Sequence, residues 1–197
     1  MMSLLKLVWK RLFFVIGLIL VLPLIALTWL EKGLLGQAQN RVFSGCMEIL
    51  SICPTILGTY LRSAFYWAVC TNVSPDVLFL FGSWLAHREN SVGKGTVLGA
   101  YTFLGYADIG ENVLFGARVS VISGKYQHGR PEQRVEGTDV TEQDEVIRIG
   151  KNSWIGQDAV IMAHVGENCT VGAGSVVLRD VPDGTTVMGN PARKVNV

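Results

Sequence analysis

The sequence predicts a mainly β chain, a solenoid of parallel strands standing behind a set of N-terminal membrane-associated helices. Two observations carry this. From about residue 80 onward, an aliphatic or aromatic residue is followed at once by Gly and three positions later by a small or β-branched side chain, on a period of six. Ahead of that repeat, Leu12 to Leu30 are nineteen residues without a charge, long enough at about 1.5 Å per residue to make a membrane helix.

The repeat comes in two runs. Val92-Gly93 with Thr96, Leu98-Gly99 with Thr102, Ile109-Gly110 with Val113 and Phe115-Gly116 with Val119 form the first. Ile149-Gly150 with Ser153, Ile155-Gly156 with Ala159, Val165-Gly166 with Cys169 and Val171-Gly172 with Ser175 form the second. Leu104-Gly105 is one residue short of a unit, and Val181 and Val187 close the tail, again six apart. Six is too short for a helical repeat and does not fit the 3.6 spacing of one long helix. It suits a strand that turns a corner every six residues. The aliphatic side chain points inward, the small one fills the tight space beside it, and Gly bends the backbone where a Cβ would clash. Three faces make a coil of about eighteen residues, and about five to six such coils stack by parallel pairing about 4.8 Å apart. A stack this regular buries only a thin core and depends on neighbours and end caps, which points to an oligomer.

Two domains follow, residues 1–72 with the helices and 73–197 with the repeat, the latter interrupted by an insertion at 123–145. Hydrophobic residues make up 49% of the chain and charged ones 17%, below the roughly 25% charged of an average soluble domain. Lys6, Lys10 and Arg11 precede the apolar run, so the positive-inside rule sets the N-terminus in the cytoplasm. No small-x-small cleavage site follows, and Thr28-Trp29-Leu30-Glu31 reads as an interfacial end, so an uncleaved anchor is expected rather than a signal peptide. Pro23 is expected to kink that helix or turn it back.

A second apolar stretch, Val42 to about Cys70, is broken by Glu48, Pro54 and Arg62. Each charge in hydrocarbon costs about 2.5–3.5 kcal/mol on insertion scales. The stretch therefore reads as a re-entrant or interfacial helix with Tyr60, Phe65, Tyr66 and Trp67 as its aromatic belt. A buried helical cap on the solenoid is the alternative. Cys46, Cys53, Cys70 and Cys169 have no C-x-x-C or metal spacing and read as small hydrophobes of a reducing compartment. A formal charge of +1 excludes a strongly basic nucleic-acid face, and no P-loop or dinucleotide fingerprint is present.

From Gly124 to Glu145 the chain abandons its period for a polar loop carrying Arg130 and Arg134 among six acidic residues. Most of it is a solvated surface, but loops this long inside a regular solenoid tend to be functional. The chain has three histidines, His87, His128 and His164, and an imidazole suits general-base work because it titrates near neutral pH. His128 is on the expelled loop, His87 on a face without the Gly, and His164 in the shortened corner "IMAHVG", where a structural role is expected.

These hexads resemble the hexapeptide-repeat acyltransferases, a left-handed parallel β-helix family. The closing text "WIGQDAVI…VGAGSVVLRDVPDG…GNPARKV" is similar to the C-terminal coils of the galactoside, maltose and polysaccharide acetyltransferase branch. The loop's "SGKYQHG" resembles the active-site loop of membrane-associated polysaccharide O-acetyltransferases. The resemblance covers residues 80–197 well and 42–79 loosely. It implies a trimer that transfers an acetyl group from acetyl-CoA to a sugar hydroxyl of a lipid-linked or surface glycan. His128 would be the general base, in a slightly shifted register from the galactoside enzymes, and His87 would bind or orient the acceptor. Gln157 and the backbone of Ala173 would line the pantetheine arm, with Trp154 walling the acyl site. Arg179 and Arg193, helped by Lys194, would face the phosphates of the coenzyme. No metal is implied. The enzyme would sit on the inner membrane with its catalytic domain facing the cytoplasm, where acetyl-CoA is found. An N-acetyltransferase of amino or nucleotide sugars and a non-catalytic membrane scaffold remain as alternatives. A γ-type carbonic anhydrase, with its closely spaced zinc histidines, does not fit gaps of 41 and 36 residues.

Overall fold

The computed structural model describes residues 4–35, 40–123 and 145–195. Three helices come first: α1 (Leu4–Leu35), α2 (Arg41–Ser51) and α3 (Thr55–Val69). The rest is the parallel β-helix that the hexads predict. Its first coil is β1 (Asn72–Val73), β2 (Leu78–Phe79) and β3 (Trp84–Leu85). Then come β4 (Ser91–Val92), β5 (Val97–Leu98) and β6 (Phe103–Leu104), and above them β7 (Ala107–Ile109), β8 (Leu114–Phe115) and β9 (Ser120–Val121). After the insertion the stack resumes with β10 (Ile147–Ile149), β11 (Trp154–Ile155) and β12 (Val160–Ile161). The last strands are β13 (Thr170–Val171), β14 (Val176–Val177), β15 (Thr186–Met188) and β16 (Arg193–Lys194).

Each coil gives one strand to each of three sheets, in the orders β1-β4-β7-β10, β2-β5-β8-β11-β13-β15-β16 and β3-β6-β9-β12-β14. Every pairing is parallel except the last, where β16 folds back antiparallel on β15. The aliphatic column of the first sheet runs Val73, Val92, Ile109, Ile149 and, through single bridges, Val165 and Val181. Phe79, Leu98, Phe115, Ile155, Val171 and Val187 form the second column, and Leu85, Leu104, Val121, Ile161 and Val177 the third. All are buried.

The small residue of each hexad does more than fill space. Thr96 and Ser153 donate their hydroxyls to Gly110 and Gly166 carbonyls of the next coil at 2.9 and 2.8 Å, so the slot also stitches coils together. Stacking explains the glycines: a Cβ on Gly156 would lie 2.5 Å from the backbone nitrogen of Ala173. At one corner Asn112, Asn152 and Asn168 take left-handed φ values of 55°, 60° and 55°. Asn tolerates this conformation, and their amides form a ladder at 3.4 and 3.2 Å.

A uniform eighteen-residue coil is not what the register shows. Partners lie 19 apart from Leu85 to Leu104, 17 from Leu104 to Val121 and 16 from Ile161 to Val177. Two corners always take six positions, as in Val92 to Leu98 to Leu104 and Ile149 to Ile155 to Ile161. The third corner absorbs every difference. It takes seven positions from Leu85 to Val92, five from Leu104 to Ile109, and four from both Ile161 to Val165 and Val177 to Val181. The long insertion leaves from this same edge, between Val121 and Ile149.

The helices close the solenoid's first coil. Arg62 of α3 is fully buried, and instead of sitting in hydrocarbon it donates to the Leu50, Cys53 and Phe79 carbonyls at 2.8, 2.9 and 3.0 Å. Ser63 donates to Val77 O at 2.8 Å, and Tyr66 OH accepts the Leu85 N–H at 3.4 Å. Glu48 lies on the exposed side of α2. The Cys46 and Cys70 thiols are free, and burial pushes both upward in pKa, in keeping with inert apolar cysteines.

α1 runs unbroken through Pro23, so the proline does not turn the chain back. Its inner face carries Phe14, Gly17, Val21, Thr28 and Glu31 against α3 and the first corners. A Cβ on Gly17 would stand 2.9 Å from the Tyr60 carbonyl oxygen. Buried Glu31 accepts the Val42 N–H at 2.7 Å, holding the start of α2, and pairs with buried Arg88 at 3.1 Å. Residues Val8–Leu34 are long and apolar enough to cross a membrane by length and composition.

The cap yields a stability prediction. Arg62→Met keeps the volume but strands several buried carbonyls, at about 1–3 kcal/mol each. Denaturant unfolding followed by tryptophan fluorescence should show a loss of about 3 kcal/mol or more, against under about 0.5 kcal/mol for Arg41→Met on the exposed side of α2.

Candidate active site

The variable edge collects the candidate chemistry. His87 occupies its seven-position corner, half-buried, with its ring centroid 5.5 Å from that of Tyr106 in the five-position corner of the next coil. Tyr106 in turn donates its backbone N–H to Ser123 Oγ at 2.7 Å, and Ser123 is where the insertion leaves. His128 belongs to that insertion and lies outside the described residues. Its segment departs one coil above Tyr106 and returns at Glu145 on the same edge.

His164 sits at the next corner up, and its ring is committed. Nδ1 accepts the Arg148 N–H at 3.1 Å, Nε2 faces the Glu145 carboxylate at 3.4 Å, and its own backbone N–H donates to Asp180 Oδ1 at 3.0 Å. No ring nitrogen is left to take a substrate proton. The residue clamps the returning strand, consistent with the structural role its short corner suggests.

At the solenoid's C-terminal end the edge meets a cavity of about 380 Å³. Arg179, Arg193 and Lys194 line it together, along with Asp180, Asp183 and Thr185. The two carboxylates are occupied: Asp180 holds the His164 N–H and Asp183 accepts the Glu167 N–H at 2.8 Å. Three cations outnumber the two carboxylates along this pocket, and each carboxylate has one oxygen held by a backbone amide, an arrangement that leaves a net positive lining. The pocket exists because β16 doubles back on β15, carrying Arg193 and Lys194 over the end of the stack.

The other three coenzyme candidates are elsewhere. Gln157 and Ala173 are exposed on successive tiers of the corner between the second and third sheets, where the Gly174 N–H donates to Gln157 O at 2.8 Å. The Gln157 side chain donates to Asp158 Oδ2 at 3.2 Å. The Arg118 guanidinium, with Gln157 assisting, holds the Asp158 carboxyl below the usual carboxylate range. Trp154 lies on β11 of the second sheet with its side chain half-exposed. Gln157 and Ala173 thus flank one side of the third sheet, and His87 and the insertion flank the other. A second cavity of about 300 Å³ lies at the helical end, lined by Trp29, Lys32, Cys70, Thr71, Arg88 and Glu89, and His87 is not among its lining residues. Sequence reasoning passed over Tyr106, Ser123 and Asp180. The one-residue-short unit Leu104-Gly105 was the signal for the first. Among the described residues, no group of three His, Cys, Asp or Glu side chains is placed to hold a metal ion.

Comparison with known proteins places this architecture. The family model described as the hexapeptide repeat of succinyl-transferase matches residues 106–124 and 146–179. In sequence it is similar to Nodulation protein L of Rhizobium meliloti (strain 1021), 46% identical over 87 residues, which is 43% of this chain. The chain spans 45% of that relative's length. Among solved structures, a maltose O-acetyltransferase from Clostridium difficile 630 superposes with a TM-score of 0.67 at 22% identity, covering 80% of this chain and 85% of that one. A hexapeptide-repeat acetyltransferase from Vibrio cholerae gives 0.61 at 21% identity, with 79% and 89% covered. These two likenesses are of fold.

The basic pocket predicts its own behaviour. Arg179→Ala and Arg193→Ala should each weaken binding of adenosine 3′,5′-bisphosphate by about tenfold or more, the loss of one charge-assisted contact. Isothermal titration calorimetry measures this, with Lys151→Ala, paired on the exposed surface with Glu167, as the unaffected control.

Proposed function

We propose that the chain is an acetyl-CoA-dependent O-acetyltransferase that modifies a sugar hydroxyl of a lipid-linked or cell-surface glycan. One observation carries the reading: a single edge of the β-helix gathers His87, the departure of the loop bearing His128, and, about two coils further on, Arg179 of the basic pocket. Two coils are about 10 Å at the usual strand spacing, within reach of an extended pantetheine arm whose phosphates lie among Arg179, Arg193 and Lys194. The similarity to Nodulation protein L, and the acetyltransferases that share the fold, support the same class.

In this reading His128 takes the proton from the acceptor hydroxyl as its oxygen attacks the thioester carbonyl. The tetrahedral oxyanion collapses, the ester forms, and the thiolate of CoA leaves, recovering a proton from the imidazolium. His87 orients the acceptor from the helical end of the edge, where its ring lies beside that of Tyr106. Gln157, Ala173 and Trp154 are across the third sheet from His87. They reach the donor of a neighbouring subunit if three chains pack with the loop of one over the next, which is why we assign a homotrimer. The helical layer confines the enzyme to the cytoplasmic face of the inner membrane, where donor and membrane-bound acceptor meet.

His128→Ala should lower turnover by roughly 10²–10⁴-fold, the range for loss of a general base, while acetyl-CoA affinity survives. Retention of near-normal transfer by that variant, with loss in His87→Ala, sinks the assignment. Offering amino-sugar acceptors beside hydroxyl acceptors decides between O- and N-transfer, and absence of both transfer and acetyl-CoA hydrolysis leaves a scaffold. Mass photometry in detergent should give trimers, and a fully active monodisperse monomer contradicts the shared site.

A further inference from the structure

The helix α1 divides cleanly along its length. On one side Phe14, Gly17, Val21, Thr28 and Glu31 are buried against the protein. On the other, Val8, Leu12, Val15, Ile19, Leu22 and Leu30 are each 45–60% exposed. Leu12, Ile19 and Leu30 fall on one line at 100° per residue. No charge interrupts this face between Arg11 and its far end, because Glu31 turns inward to Arg88. Ile49, Ile52 and Ile56 of the helical layer are exposed as well, and exposed Trp9 and Trp29 stand near the two ends of α1. Exposed Arg11 and half-buried Lys32, whose ammonium lies 4.9 Å over the Trp29 ring, border the outer face of α1 with positive charge. A row of large exposed apolar side chains along one helix face marks an interaction surface.

Length alone would let α1 cross a bilayer, but its attachments forbid it. Lys10 pairs with Asp76 at 3.2 Å and Glu31 pairs with Arg88 at 3.1 Å, so both ends are bound to the first turns of the β-helix. Those ends are 21 residues apart, about 31 Å along a helix, close to the roughly 30 Å of a hydrocarbon core. A crossing α1 would set Asp76 and Arg88 at opposite faces of the membrane, and the first coil, with its polar edges, would lie inside the lipid. We propose that α1 lies flat in one leaflet, sunk to the depth of its outer face, and that the helical layer docks the β-helix on anionic phospholipid without crossing. The tryptophans and cations at the margins are the groups that the headgroup boundary takes. This rests on the membrane-associated reading above and makes its attachment one-sided, with the basic pocket and the variable edge on the same side of the membrane.

The test uses the full chain on vesicles of phosphatidylethanolamine and phosphatidylglycerol. Cys53→Ser removes the one cysteine that is not fully buried, and spin labels are set singly at Leu12→Cys, Ile19→Cys and Leu30→Cys. Collision with oxygen and with a water-soluble nickel chelate reports depth. A helix in the plane gives the three labels one common depth. A spanning helix puts Ile19 about 10 Å deeper than Leu12, and that profile overturns the proposal while leaving membrane association intact. Failure to float with the vesicles overturns both. Strong spin–spin broadening with shielding from both relaxers shows a second copy on this face and overturns the lipid assignment.

Discussion

A stack of parallel coils satisfies its backbone only by adding another coil, so every solenoid has two ends with unpaired polar groups and an open core. At the first coil of this chain the problem falls to Arg62, Ser63 and Tyr66, which reach from α3 to the Phe79 and Val77 carbonyls and the Leu85 amide. A guanidinium serves because its donors fan out in one plane and meet several carbonyls at once. At the far end β16 folds back on β15 and closes the second sheet. Both devices have uses beyond closure. The first brings an apolar helical layer to one end of the molecule, and the second brings Arg193 and Lys194 over a pocket with Arg179.

The ion pairs differ in what they contribute. Arg88 and Glu31 are buried, with Arg88 also donating to the Thr28 carbonyl at 3.3 Å. Removing one partner leaves a charge in the interior, which is where such pairs are costly to break. Arg118 and Asp158 are exposed, so their contribution to stability is small and screened by salt. Their effect is local order, because Asp158 also fixes the Gln157 amide.

Much of the fold was legible because its rule is local: aliphatic, Gly, then a small residue three on. Each term answers one contact, in the core, between stacked turns, or from hydroxyl to the next coil's carbonyl. The coil length was misjudged because the rule describes two corners and is silent about the third. The place of Arg62 was hard to read for a similar reason. A buried guanidinium in an apolar helix looks alike whether lipid or protein surrounds it, and only the carbonyls of Phe79, Leu50 and Cys53 distinguish the two. Arg179, Arg193 and Lys194 were singled out by likeness and line one cavity, but that Asp180 and Asp183 there accept backbone amides depends on which coils stack. Gln157 and Ala173 share a corner that sequence spacing alone does not relate to His87.

The constant and variable corners together separate two kinds of change. Along the two six-position corners, inserting one residue would turn a strand over and send its core side chain to solvent, since neighbouring residues face opposite sides. The third corner already tolerates seven, five and four positions and one long excursion with no core residue displaced. Length there is free of register. Along that edge the loop can be exchanged, extended or trimmed as an interchangeable part without renegotiating the packing of a single hexad.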